Sequence, residues 1–284
     1  MKEAMYWTSD KGKVKCNLCP HNCSIDEGNI GICRVRRNLE NKLYSLNYGK
    51  ISSIALDPIE KKPLSLFFPG KNILSVGTTG CNLKCSFCQN WSIAHADPDT
   101  INVLPEQLVE EAIKLKKDGN IGIAFTYNEP SIWFEFVYET VKLSKQEGLK
   151  NVLVTNGFIS IKPLEDILPY IDAMNIDVKA FNDDYYKDIC KGRLEDIKKT
   201  VEFANEKCHV EVTTLIVPEL NDNLNEIEQL ASWLSSINPE IPIHFSRYFP
   251  NYKMKDKQPT PRETLEKAKK IAEGYLKYVY IGNI

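Results

Sequence analysis

The chain has 284 residues, enough to bury one large core and carry a small appendage. Its 36 Lys and Arg stand against 38 Asp and Glu, and the formal charge of −2 excludes the basic footprint of a nucleic-acid binder and a membrane-seeking surface. No apolar run approaches a membrane span and the opening "MKEAMYWTSDKGKVKC" has no apolar leader segment, so a cytoplasmic protein is expected.

Residues 13–37, "KVKCNLCPHNCSIDEGNIGICRVRR", carry Cys16, Cys19, Cys23 and Cys33 in the spacing C-x2-C-x3-C-x9-C, with His21 inside. So short an element owns no apolar core, and a metal has to hold it together. Four thiolates suit zinc and an auxiliary four-iron cluster alike. Gly28 and Gly31 supply turns that return Cys33 to the other three. Residues 1–37 are therefore read as a cysteine-rich metal-binding element. Residues 38–70 read as a connector, because "KISSIALDPIEKKPLSLFFPG" holds three prolines and ends in a Pro-Gly turn signal. Separated by this connector, the element is expected to bind its metal independently of the rest of the chain.

From residue 72 short apolar runs alternate with amphipathic stretches. Strands are predicted at 72–78, 121–127, 151–155, 173–179, 209–217 and 241–247. Helices are predicted at 105–118, 131–148, 163–170, 195–207, 223–236 and 262–277, with Pro105, Pro163 and Pro239 at their boundaries. Residues 71–284 thus read as an α/β domain with a parallel sheet, either a curved partial barrel or an open doubly wound sheet. Functional groups are expected where its strands end.

The first strand runs into "GTTGCNLKCSFCQNW" (77–91), which places Cys81, Cys85 and Cys88 in a C-x3-C-x2-C spacing. In a reducing compartment such clusters read as metal sites rather than disulfides. Structural zinc takes four ligands, so three cysteines need a distant His or Cys, or else a centre with one open position. Three corners of a four-iron cube leave the fourth iron free. Cys190 and Cys208 stand alone among the nine cysteines and read as small buried hydrophobes.

Further along, "VTNGF" (154–158) ends the third strand. Thr155 and Asn156 offer side-chain hydrogen bonds there, and Gly157 allows close backbone approach. Asp177 and Lys179 lie two apart on the fourth strand, hence on one face, and their burial requires a ligand or a mutual ion pair. On the last strand Arg247 suits a carboxylate, while a single His244 is more commonly a core residue.

C-x3-C-x2-C after a first strand, with Phe87 just before the last cysteine, resembles the radical S-adenosylmethionine enzymes over nearly all of residues 66–284. In order, "CNLKCSFCQNW", "TYNEP", "VTNGF", "NIDVKAF", "TTLIVPELND" and "HFSRYFPNYKM" resemble the group similar to pyruvate formate-lyase activating enzyme, in the branch called AmmeMemoRadiSam-system radical enzymes. The resemblance implies a partial (β/α)6 barrel and a [4Fe-4S] cluster held by Cys81, Cys85 and Cys88. It implies S-adenosyl-L-methionine on the unique iron, cleaved by one electron to methionine and a 5′-deoxyadenosyl radical that abstracts hydrogen from a protein or small-molecule substrate. Activation of a glycyl-radical enzyme is the named relative of this chemistry, and an electron donor such as flavodoxin or ferredoxin is the implied partner.

The resemblance also places Phe87, Glu129, Thr155, Asn156, Gly157, Asp177, Lys179, His244 and Arg247 around the cofactor, with Thr213 and Thr214 along its adenosine. Glu129, in "TYNEP" where relatives have Gly-Gly-Glu-Pro, is expected to receive the cofactor's ammonium. Activases usually carry an acid before Thr-Asn-Gly; this chain has Val154. The rival reading is a catalytically inactive, metal-stabilised partner-binding scaffold. The intact cysteine loop, Glu129 and the Thr155–Gly157 turn argue against it. A zinc-dependent nucleic-acid module at the N-terminus runs against the near-neutral charge.

Overall fold

The computed structural model describes residues 1–10 and 12–284. One eight-stranded sheet organises most of the chain. Its strands, in order across the sheet, are β1 (Ser53–Pro58), β2 (Asn72–Gly77), β3 (Asn120–Phe125), β4 (Lys150–Thr155), β5 (Ala173–Asp177), β6 (His209–Ile216), β7 (Ile243–Arg247) and β8 (Val279–Gly282). β1 is antiparallel to β2, and all other neighbours are parallel. Six helices join successive parallel strands: α1 (Pro105–Lys114), α2 (Phe134–Gln146), α3 (Ile161–Ile167), α4 (Leu194–Asn205), α5 (Leu224–Ile237) and α6 (Arg262–Ala272).

Local chemistry fixes these elements. β3, "NIGIAF", is apolar along almost its whole length because helices cover one face and the interior the other. Pro105 opens α1 at a position whose N–H has no helical partner, and Leu108, Val109 and Ala112 bury its inner stripe. The stretch 115–118 tightens into a 3-10 turn and stops at Gly119, whose φ of +82° is left-handed.

Two strands lie outside the predicted six. β1 falls within the expected connector. It pairs on one side only, as an edge strand, so Pro58 at its end removes no ladder bond that the sheet needs. β8 is a four-residue strand that follows the last predicted helix. The boundary expected at residue 37 is also corrected, because Arg36–Leu39 pairs with Lys42–Ser45 across it. With Lys2–Glu3 these form one small sheet, and Trp7–Asp10, Lys13–Cys16 and Ser24–Asp26 form another.

The N-terminal element is docked on the large domain rather than tethered to it. Arg36 and Glu135 of α2, both buried, meet at 2.6 Å, and Glu135 also accepts the Met5 N–H at 2.7 Å. Leu18 O accepts from Ser160 N at 3.0 Å. Among the described residues no helix is long and apolar enough to cross a membrane.

Candidate active site

The start of the loop after β2 is pinned by Asn128. Its Oδ1 accepts from Thr78 N at 3.1 Å and its Nδ2 donates to Gly80 O at 2.8 Å. Gly80 has φ +91°, and a Cβ there would stand 2.7 Å from Cys33 O and 2.8 Å from Val35 Cγ1. The two cysteine sets, far apart in sequence, are therefore neighbours in space: the backbone carrying Cys33 lies directly on the residue before Cys81.

Cys81, Cys85 and Cys88 all face one cavity of about 230 Å³, lined from the loops and strand ends of β2 through β7. Phe87, Asn156, Asp177, Lys179 and Thr213 join them on its wall, as expected. Asn156 Nδ2 approaches Cys81 Sγ at 3.6 Å, and Leu83 N–H reaches the same sulfur at 3.4 Å. Burial, the Glu129 carboxylate and the neighbouring Cys85 push the Cys81 thiol up. Burial and Cys85 bring Cys88 to about 11. Thiols held this high bind metal with release of their protons.

Lys179 and Asp177 pair at 2.8 Å on the wall, with the ammonium 5.9 Å from the centre of the Phe87 ring. Burial disfavours the Lys179 charge, but Asp177 first and then Cys85 more than restore it. The pair thus serves as its own counter-ion while both members face the cavity.

Other expected residues lie elsewhere. Glu129 is wholly buried and turned away from the cavity. Its oxygens accept from Ser131 N at 2.9 Å, Thr155 Oγ1 at 2.8 Å and Asn156 N at 2.8 Å. Three donors pull this carboxylate inward, so it positions the Thr155–Asn156 turn instead of meeting an ammonium. Thr155 is engaged by that carboxylate. Gly157, at φ +70°, serves close packing: a Cβ would lie 3.0 Å from Ile176 Cγ2. Thr214 donates to Val178 O at 2.8 Å. His244 bonds Glu211 at 2.6 Å and stacks on Tyr280, facing a second cleft. Arg247 spends its Nε on Thr260 O at 2.8 Å and covers Phe249, so it clamps nothing in the cavity.

Several cavity residues escaped the sequence reading. Tyr127, in left-handed backbone at φ +70°, lays its ring against Gly77 and donates to Asp57 at 2.9 Å. Asn128, His95, Leu215 and Ser246 complete the wall. Cys190 is fully buried with its thiol within hydrogen-bonding reach of Cys85, and Lys84 N and Ser86 N bond the carbonyls of Cys190 and Ile189 at 2.8 and 3.3 Å. It is a buried member of the main apolar core, as its isolation in the sequence suggested, packed beneath the cysteine loop. The one available signal was the substitution of Tyr127-Asn128 for two glycines; nothing local marks Cys190. Cys208, half-buried, has its thiol raised to about 12 by burial.

Among the described residues no group of three or more His, Cys, Asp or Glu is arranged to hold a single metal ion. A four-iron cube spreads its sulfur ligands wider than one ion does, and the three thiols ring a cavity with room beyond them. The donor set fits a cluster with one uncommitted corner. In the N-terminal element all four cysteines, with Arg36, face a space of only about 10 Å³. Buried Arg36 Nε has no hydrogen-bond partner among the described residues.

Residues 75–234 match the family model of the Radical SAM superfamily, which covers more than half of the chain. The chain belongs to the radical SAM superfamily. It is 45% identical over 291 residues to an uncharacterized protein of Methanocaldococcus jannaschii, covering 100% of this chain and 86% of that one. It is 31% identical over 215 residues to the pyruvate formate-lyase-activating enzyme of Clostridium pasteurianum, covering 70% of this chain and 87% of that one. A domain of the pyruvate-formate lyase-activating enzyme from Bacteroides vulgatus shares the fold, with a TM-score of 0.51 at 20% identity over 57% of this chain and 99% of that one. The protein is an enzyme of the radical SAM type, similar to these activases, and its family implies a [4Fe-4S] cluster and S-adenosylmethionine.

Proposed function

We propose that the chain holds a [4Fe-4S] cluster on Cys81, Cys85 and Cys88, binds S-adenosylmethionine in the adjoining cavity and activates a protein substrate of the glycyl-radical kind. The observation that carries this reading is the convergence of three thiols on a cavity that continues past them. Cys81, Cys85 and Cys88 would hold the cluster, whose chemistry would be one-electron reductive cleavage of S-adenosylmethionine to methionine and a 5′-deoxyadenosyl radical able to take hydrogen from the substrate.

The chain's own residues hold and shield. Asn156, set by Glu129, directs an N–H at Cys81 and keeps that sulfur oriented. Asp177 and Lys179 present opposite charges to a zwitterionic methionine moiety. Phe87 and Leu215 exclude water from the reacting centre, and the unpartnered Thr213 Oγ1 offers a hydrogen bond to ribose or base. Because loops after β2 to β7 share one cavity, we read the sheet as a curved partial (β/α)6 barrel extended by β1 and β8. The four N-terminal thiols are a second metal site in this reading, zinc or an auxiliary cluster. A cytoplasmic location and a flavodoxin- or ferredoxin-type donor complete it.

The test is anaerobic incubation of reconstituted protein with S-adenosylmethionine, a strong reductant and a glycyl-radical enzyme carrying deuterated glycine. Deuterium in 5′-deoxyadenosine is expected. Unlabelled 5′-deoxyadenosine would overturn the substrate assignment alone, and none at all would overturn the cleavage.

A further inference from the structure

Around His95, at the edge of the cavity, three chain segments bring cations together. Lys84 lies within the cysteine loop. Lys253 arrives from the C-terminal side, its N–H donating to Ser86 O at 3.1 Å. Arg34 comes from the N-terminal element, donating to His95 O and pairing with Asp97 at 2.7 Å. Among the described residues Lys84 and Lys253 have no ion-pair partner. The unpartnered His95 ring nitrogens feel the same three cations, which with burial hold its pKa down near 4, burial being the larger cause.

The face they form also carries an aromatic stack. Trp91 and Tyr252 lie 5.5 Å apart at 11°, and His95 stacks on Tyr252 at 5.5 Å and 22°. Lys253 Nζ is 5.3 Å from the Tyr252 ring centre. Trp91 remains 37% exposed, although its partners in the stack are held. A rigid aromatic beside three cations, two of them without an ion-pair partner, is the make-up of an interaction surface for an acidic protein. Ser86, to which Lys253 is bonded, lies between Cys85 and Cys88, so this face is one loop's thickness from two ligand sulfurs. Electron transfer falls steeply with distance, so closeness of the face to those sulfurs favours it as a point of entry.

We infer that this face docks an acidic one-electron donor protein, seated on Trp91 and held by Lys84, Lys253 and Arg34. The inference rests on the cluster assignment above. In the docked complex the donor loses one electron and the cluster gains it, with no bond made or broken in this chain. Paired opposite charges at such a surface act chiefly on the rate of encounter.

Stopped-flow reduction of the anaerobically reconstituted full-length protein tests this, with reduced flavodoxin as the probe and bleaching of the cluster's visible absorbance as the readout. At low salt, Lys84→Glu with Lys253→Glu should slow reduction by about tenfold or more. The wild type should lose its advantage as salt rises, while dithionite should reduce both proteins alike. Lys253→Glu alone, outside the cysteine loop, serves where the double variant loads iron poorly. Equal flavodoxin rates would overturn the inference. So would an equal loss with dithionite, since the lysines would then act on the cluster itself. So would a variant that slows only reaction with the protein substrate. Wild-type protein that takes up no cluster would instead overturn the cysteine assignment, and the docking surface with it.

Discussion

The two cysteine sets lie against each other yet are built in opposite ways. Cys81, Cys85 and Cys88 stand at the edge of a cavity of about 230 Å³ and face residues of six strand ends. Cys16, Cys19, Cys23 and Cys33 close around about 10 Å³, against Leu18, Ile25, Ile132 and one buried cation. Three ligands with space beyond them suit a centre that binds something else; four ligands with none suit a centre complete in itself. In the function proposed above, chemistry belongs at the first set, and cohesion or electron relay at the second.

The largest expected effect comes from removing the anchor beneath the closed set. Glu135→Ala strands Arg36 without its carboxylate and should cost metal-free protein about 3–5 kcal/mol of stability, measured by denaturant unfolding. With metal bound, thiolates face the same guanidinium and the loss should shrink. An identical loss in both forms would mean that the four-cysteine pocket carries no compensating charge.

Glu129→Ala probes the open set and should act less strongly. It releases the Thr155–Asn156 turn and should weaken S-adenosylmethionine binding ten- to a hundredfold, roughly 1.5–3 kcal/mol. The cluster should still assemble with its visible absorbance, because Cys81, Cys85 and Cys88 are unchanged and the Asn156 N–H only orients one of these sulfurs. An unchanged dissociation constant would leave Glu129 with a purely structural role at the mouth of β3.

The six central strands and all six helices were legible because each is a long apolar or amphipathic run with Pro, Gly or Asn at its ends. β1 was not, since edge strands tolerate the prolines and polar residues that read as loop. At the site, spacing singled out the three cysteines and strand ends drew attention to Asn156, Asp177 and Lys179, while Thr213 came only with the family resemblance. Direction was the limit. Glu129 ends its strand where expected, yet three backbone and side-chain donors turn it inward. Cys190 reaches Cys85 only because a π-helical turn, Tyr186–Cys190, carries it under the loop more than a hundred residues away in sequence. The docking of Cys33 on Gly80 is likewise a contact between distant segments, beyond any local pattern.

The division of labour between the two sets is tested most directly by the 5′-deoxyadenosine yield of a chain with Cys81, Cys85 and Cys88 all changed to Ala, reconstituted anaerobically beside the wild type. No 5′-deoxyadenosine is expected from the variant, which should still hold about one zinc or about four irons at its N-terminal cysteines. An undiminished yield would contradict this division, because the chemistry would then not reside at the open set.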